Sequence, residues 1–145
     1  MNVEKNQYPV SAYQLTAGLV YFARMASKIR LQAVGQLPSA YLENLGTGFD
    51  GRCCRFLGVE YSAVRELIIE GLSDKDALAW CFEHGTRPSE EQILVWNSFM
   101  RKRGWRDEDG GSATLKRNKE ASGLADRDDI QTTFDYFEVD EHRRP

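Results

Sequence analysis

Between residues 50 and 104 the chain is punctuated at both ends of four successive segments, and that punctuation leaves room for little besides short helices. Asp50 opens a segment that stops at Gly58, and Ser62 opens one that stops at Gly71. Ser73 with Asp76 reads S-x-x-D ahead of a segment ending at Gly85, and Ser89 with Gln92 reads S-x-x-Q ahead of one ending at Gly104. A short side-chain oxygen at a helix start satisfies amides that the helix itself leaves orphaned, and glycine at the end adopts the left-handed conformation that closes it. The connections are short, so successive helices must pack on one another, and no longer period points to a solenoid.

Upstream, Leu15, Leu19, Phe22, Ala23, Ala26 and Ile29 recur at intervals of three and four, with Val20 and Met25 widening the stripe. This spacing predicts one long, largely buried helix from Ser11 to about Val34, ended by Gly35. Residues 1–10 form an N-terminal arm. The run Leu15 to Ala23 does not read as a signal sequence: Glu4 offsets Lys5 ahead of it, and Arg24, Lys28 and Arg30 stand where a cleavage site would lie. It also falls short of the roughly 20 apolar residues of a membrane helix.

After Gly104 the stretch WRDEDGGSATLKRNKEASG is polar and glycine-rich. Residues 105–123 therefore read as a mobile polar loop or an exposed helix from Ser112 to Ser122, with 107–111 the most mobile part. Apolar residues return over 124–140. Ile130, Phe134 and Phe137 have helical spacing, while Phe134, Tyr136 and Glu138 could alternate along a strand, so 130–138 fits either; a short helix docked on the core is favoured. The expectation is a single all-α domain over 1–145, a compact bundle of five to seven helices with a docked C-terminal segment.

With 145 residues, 41% of them hydrophobic and 28% charged, the chain can bury a real core. A formal net charge of −3 opposes nucleic acid and anionic membrane surfaces unless cations are concentrated locally. Three cysteines make no disulfide framework and suit a reducing cytoplasm. The chain thus reads as soluble and cytoplasmic.

Cys53 and Cys54 sit side by side in FDGRCCRFLG. With Cys81 and His84, whose C-x-x-H spacing suits one helical face, they raise the question of zinc. Adjacent helical residues diverge by about 100°, so the two cannot easily meet one tetrahedral ion, and packing as small hydrophobes explains them better. No metal and no cofactor is expected. His84 is better placed to meet the last carbonyls of its helix.

RKRGWR supplies a basic cluster, Arg101, Lys102, Arg103, Trp105 and Arg106, that could bind RNA with Trp105 stacking on a base. The helix before it opens with Glu90 and Glu91 and keeps its cations for its end, the reverse of a DNA-recognition helix and the order that the helix dipole favours. GTGFDG lacks the lysine of a phosphate loop and follows no predicted strand. Neither G-x-S-x-G nor H-E-x-x-H occurs, and two histidines leave little for acid–base chemistry.

What remains is Arg24 and Lys28, two cations one turn apart on the most apolar predicted helix. Their stems must run along the core, and a buried charge needs a partner. Either an internal acid such as Asp50 or Asp135 supplies it, or part of the requirement is left for a bound anion, with Asp50, Trp96 and Asn97 as further candidate lining.

The stretches RMASKIR, FDGRCCRFLGVEYSAVRELI, ALAWC, EEQILVWN and DDIQTTFDYFEVDE, spread from about Tyr8 to Arg143, resemble a bacterial family known as domain of unknown function 5069. The resemblance implies a predominantly helical fold that includes the C-terminal segment, and supplies no activity, cofactor or catalytic residue. On sequence the function is unknown, and the favoured expectation is a soluble helical accessory or protein-binding module whose partner is another protein or a second copy of itself. The alternatives are a small enzyme or sensor holding an anionic metabolite near Arg24 and Lys28, and RNA binding through Arg101 to Arg106.

Overall fold

A computed structural model describes residues 7–145, so residues 1–6 of the N-terminal arm lie outside the described residues. The fold is all-α in class, as predicted. Among the described residues there are seven α-helices, one 3-10 helix over Ser39–Asn44 and a two-stranded hairpin. They form two compact units divided between Ile93 and Leu94.

In the first unit the helix expected from Ser11 starts only at Phe22: α1 is Phe22–Ala33. Ahead of it β1, Leu15–Thr16, pairs antiparallel with β2, Leu19–Val20, with Leu15 opposite Val20 and Thr16 opposite Leu19. Ala17 and Gly18 make the turn at φ 48° and 80°. Two central residues at positive φ are what a tight hairpin needs, because that twist matches the strands it joins. The apolar stripe was therefore real in part, but a left-handed pair at its centre reverses the chain.

Four segments then follow the punctuation. They are α2, Gly48–Leu57; α3, Tyr61–Ile69; α4, Asp74–His84; and α5, Glu90–Lys102. Ser73 Oγ accepts from the Asp76 amide at 3.1 Å. Ser89 and Gln92 cap reciprocally: the Ser89 amide donates to Gln92 Oε1 at 2.7 Å, and the Gln92 amide to Ser89 Oγ at 3.1 Å. Asp50 and Ser62 do not cap. Each lies in the first turn of its helix, after Thr47 and Glu60, which leaves the Asp50 carboxylate available for a tertiary role.

α1 packs on α3 and α4, and α3 also meets α2. Phe22, Met25 and Ile29 of α1, Leu57 of α2, Val64 of α3 and Leu78 of α4 are all fully buried. Each such side chain contributes about 1.5–3 kcal/mol relative to exposure. Gly85 permits the closest backbone approach: a Cβ there would stand 2.1 Å from the Leu57 carbonyl oxygen, which accepts from the Thr86 amide at 2.7 Å.

The second unit comprises the remainder of α5, α6 at Gly111–Ala121, and α7 at Thr133–Asp140. Residues 130–138 are thus resolved in favour of helix over most of their length, with the Thr132 hydroxyl accepting from the Asp135 amide at 3.1 Å. Leu115, Ile130, Tyr136 and Val139 form its buried apolar cluster, edged by Leu124 and Phe137. Lys119 Nζ ties the α6–α7 connection by donating to the carbonyls of Arg127 at 2.7 Å and Ile130 at 3.1 Å.

Of 105–123, the larger part is α6. The segment leading into it has polar anchors in place of apolar ones. Asp107 Oδ2 accepts from the Gly104 amide at 2.7 Å, and the Asp107 amide donates to Ser112 Oγ at 3.1 Å. Arg103 bridges Asp107 at 3.4 Å and Asp109 at 2.5 Å.

Candidate functional site

α1 enters from Tyr21, whose backbone holds φ 80° and ψ −33°. That conformation is costly for a bulky side chain, so the surroundings must hold it in place. The Tyr21 amide donates to the Ala12 carbonyl at 3.1 Å, and the Tyr21 carbonyl accepts from the Met25 amide at 3.0 Å. The ring packs edge-on against Phe49, with centroids 5.6 Å apart. The phenol is aimed inward at α2.

There it meets the two charged residues that the sequence singled out on either side. Tyr21 OH donates to Asp50 Oδ1 at 2.6 Å, and Lys28 Nζ lies 2.8 Å from the same oxygen. Lys28 Nζ also donates to Tyr21 OH at 3.1 Å, closing a triangle. The second carboxylate oxygen, Oδ2, accepts from the Gly46 amide at 3.1 Å. Asp50 is completely buried and Lys28 is 5% exposed, so this is an ion pair taken out of water and kept there by satisfying both ends.

The carboxylate sets the electrostatics around it. Burial first, and the negative charge of Asp50 second, push the Tyr21 phenol well above its ordinary range. The same two causes in the same order raise Tyr61 on α3 and Cys54 on α2, each to about 12. Tyr21 is thereby held as a neutral donor to a carboxylate that already has its cation.

Arg24 stands one turn before Lys28 and is 2% exposed. Its Nη1 donates to the Val10 carbonyl at 3.2 Å, while the Val10 amide donates to Ser27 Oγ at 3.1 Å. Lys28 and Asp50 are thus brought together directly, with Arg24 on the adjoining turn of α1. Trp96 and Asn97 lie on the part of α5 that belongs to the second unit, Trp96 buried and Asn97 half-buried. Tyr21 is the residue that sequence reasoning missed. It lies just ahead of α1 at φ 80°, so helical spacing from Arg24 and Lys28 carries no signal for it.

The three thiols are free and buried. Cys54 Sγ contacts Met25 Sδ at 3.9 Å, a packing role. His84 Nδ1 donates to the Trp80 carbonyl at 3.0 Å, and its ring stacks on Trp80 with centroids 4.2 Å apart, as a histidine in the last helical turn is expected to do.

In the basic cluster, Arg101 and Lys102 are exposed on the last turn of α5. Arg103 is turned to Asp107 and Asp109, and Arg106 lies over the Trp105 ring at 4.9 Å from its centroid. Two of the cations, and one face of the aromatic ring, are therefore already engaged within the chain.

Among the described residues no helix is long and apolar enough to cross a membrane. The family model described as Domain of unknown function (DUF5069) matches residues 6–143, nearly the whole chain, as the residue pattern indicated. No curated protein matches it.

Proposed function

The chain belongs to that family of unknown function, and on this footing we propose that it is a non-catalytic accessory module of the cytoplasm that works by binding protein, either another chain or a second copy of itself. The observation that carries this reading is the pairing of Lys28 with Asp50 at 2.8 Å inside the first unit. An anionic metabolite seeking Lys28 would have to displace a buried carboxylate, and separating such a pair costs about 3–5 kcal/mol. The cation serves the fold.

Exposed apolar surface supports the positive half of the reading. Leu94 is 65% and Val95 61% exposed on α5, side chains whose burial against a partner would be favourable. Three free, buried thiols support a reducing compartment.

The test is a panel of carboxylates and phosphates at millimolar concentration, followed by calorimetry and by thermal shift on the parent protein and on Lys28→Met. No saturable binding, together with a large loss of stability in the variant, is the expected result. Saturable binding that Lys28→Met abolishes would overturn the proposal in favour of a sensor or enzyme built around Arg24 and Lys28.

A further inference from the structure

α5 presents one face whose chemistry reverses from end to end. Successive residues turn by about 100°, so Glu91, Leu94, Val95, Ser98, Phe99 and Lys102 share one side of the helix. Trp96 and Met100 occupy the opposite side and are buried. On the outward side Glu91 and Lys102 are exposed, Leu94 and Val95 more than half exposed, and Phe99 38% exposed. An apolar middle with acid at the first turn and base at the last is complementary to itself when reversed.

We propose that this face binds the same face of a second copy, antiparallel across a two-fold axis between the levels of Trp96 and Asn97. The inference rests on the protein-binding reading and names its partner. In that register Glu91 of one copy stands opposite Lys102 of the other, and Glu90 opposite Arg101 on the flank. Val95 packs against Phe99, and Leu94 over the small Ser98. Each contact occurs twice, as an isologous interface requires. The charges fix direction as well as register, because a parallel pairing would bring Glu91 against Glu91 and Lys102 against Lys102.

A helix of about 20 Å offers less than the area of a standard stable interface. The dimer is accordingly weak, concentration-dependent and loosened by salt.

The decisive experiment swaps charge at Glu91 and Lys102, both exposed and so expected to leave folding intact, with circular dichroism to verify it. Sedimentation equilibrium is run up to about 500 µM, where dimers of micromolar affinity are populated. The parent chain should dimerise. Glu91→Lys and Lys102→Glu should each weaken association about tenfold or more, since each sets like charges together twice. An equimolar mixture of the two variants should restore it, because the heterodimer regains both opposite-charge contacts. Val95→Glu should abolish association of the parent sequence through the apolar middle.

A parent chain that stays monomeric at the highest concentration overturns the proposal. So does a dimer that neither swap weakens, or a mixture that does not recover. Each of these results leaves the anion panel to decide the protein-binding reading separately, since that reading fails only on saturable anion binding.

Discussion

Lys28 Nζ and Tyr21 OH both contact the same oxygen of Asp50, at 2.8 Å and 2.6 Å, so one carboxylate joins the start of α1, its second turn and the first turn of α2. The three groups form a closed unit in which each removal strands the others. That makes it the most informative target in the chain.

Lys28→Met should lower the free energy of unfolding by about 3–5 kcal/mol, because Asp50 is left as a buried charge without its cation. Asp50→Leu should destabilise in the same direction by stranding the ammonium. The double variant should lose less than the sum of the two, the signature of direct coupling. Urea denaturation of the four proteins measures this, and strict additivity would show that the pair does not interact.

Tyr21→Phe keeps the ring against Phe49 and removes the hydroxyl that donates to Asp50 and accepts from Lys28. The expected loss is about 1.5–3 kcal/mol, the range for a hydrogen bond to a charged acceptor. Equilibrium unfolding reads it, and a change within error would mean that the ring alone holds the left-handed entry to α1.

The thiols give a pH dependence with a definite sign. Burial pushes Cys53 well above its ordinary value of 9.0, Cys54 to about 12 and Cys81 to about 11. The folded state therefore binds more protons than the unfolded one above pH 9.0, and stability that is full below that point should fall as pH climbs toward 11 to 12. At pH 8 a thiol reagent should label none of the three in the native protein and all three in denaturant. Native labelling at the unfolded rate would contradict this.

Gly111 is buried where a Cβ would come within 2.4 Å of Asp107 Oδ2 and 2.7 Å of Arg103 Cζ. Gly111→Ala should therefore cost about 1–3 kcal/mol through forced displacement of that bridge. Amide exchange over 107–111 should be slowed in the parent, where the Asp107 amide donates to Ser112, and fast in the variant. Exchange equally fast in both would bear out the expectation of a mobile loop made from composition alone.

α4 and α5 were legible because their starts carry local chemistry, Ser73, Ser89 and Gln92 acting within three residues of themselves, whereas α2 and α3 were legible from the glycines that follow them, Gly58 and Gly71, since Asp50 and Ser62 do not cap. The hairpin was not, because two strands of two residues are too short for alternation to stand out against the helical spacing of Leu15, Leu19 and Phe22. Only Gly18 marked it. Arg24 and Lys28 were legible as cations needing partners, and Asp50 as an acid able to serve. Tyr21 was not, since its part depends on a left-handed backbone angle that no pattern of residue types announces. The bridge of Arg103 to Asp107 and Asp109 was hidden in the same way: alternating charges look solvated until the backbone folds them onto one another.

The arm is gripped at Val10 through its backbone: the carbonyl goes to Arg24 and the amide to Ser27, side chains three residues apart on α1. Nothing in that grip inspects the side chain at position 10. What it does measure is distance along the chain, because the hairpin between arm and helix must deliver one particular peptide unit to two fixed posts. Exchanging Val10 for another residue with an amide hydrogen leaves both bonds available, whereas inserting or deleting one residue between Ala12 and Tyr21 would slide a different peptide unit into the clamp. The N-terminal strap is thus a ruler, tolerant of spelling and intolerant of length.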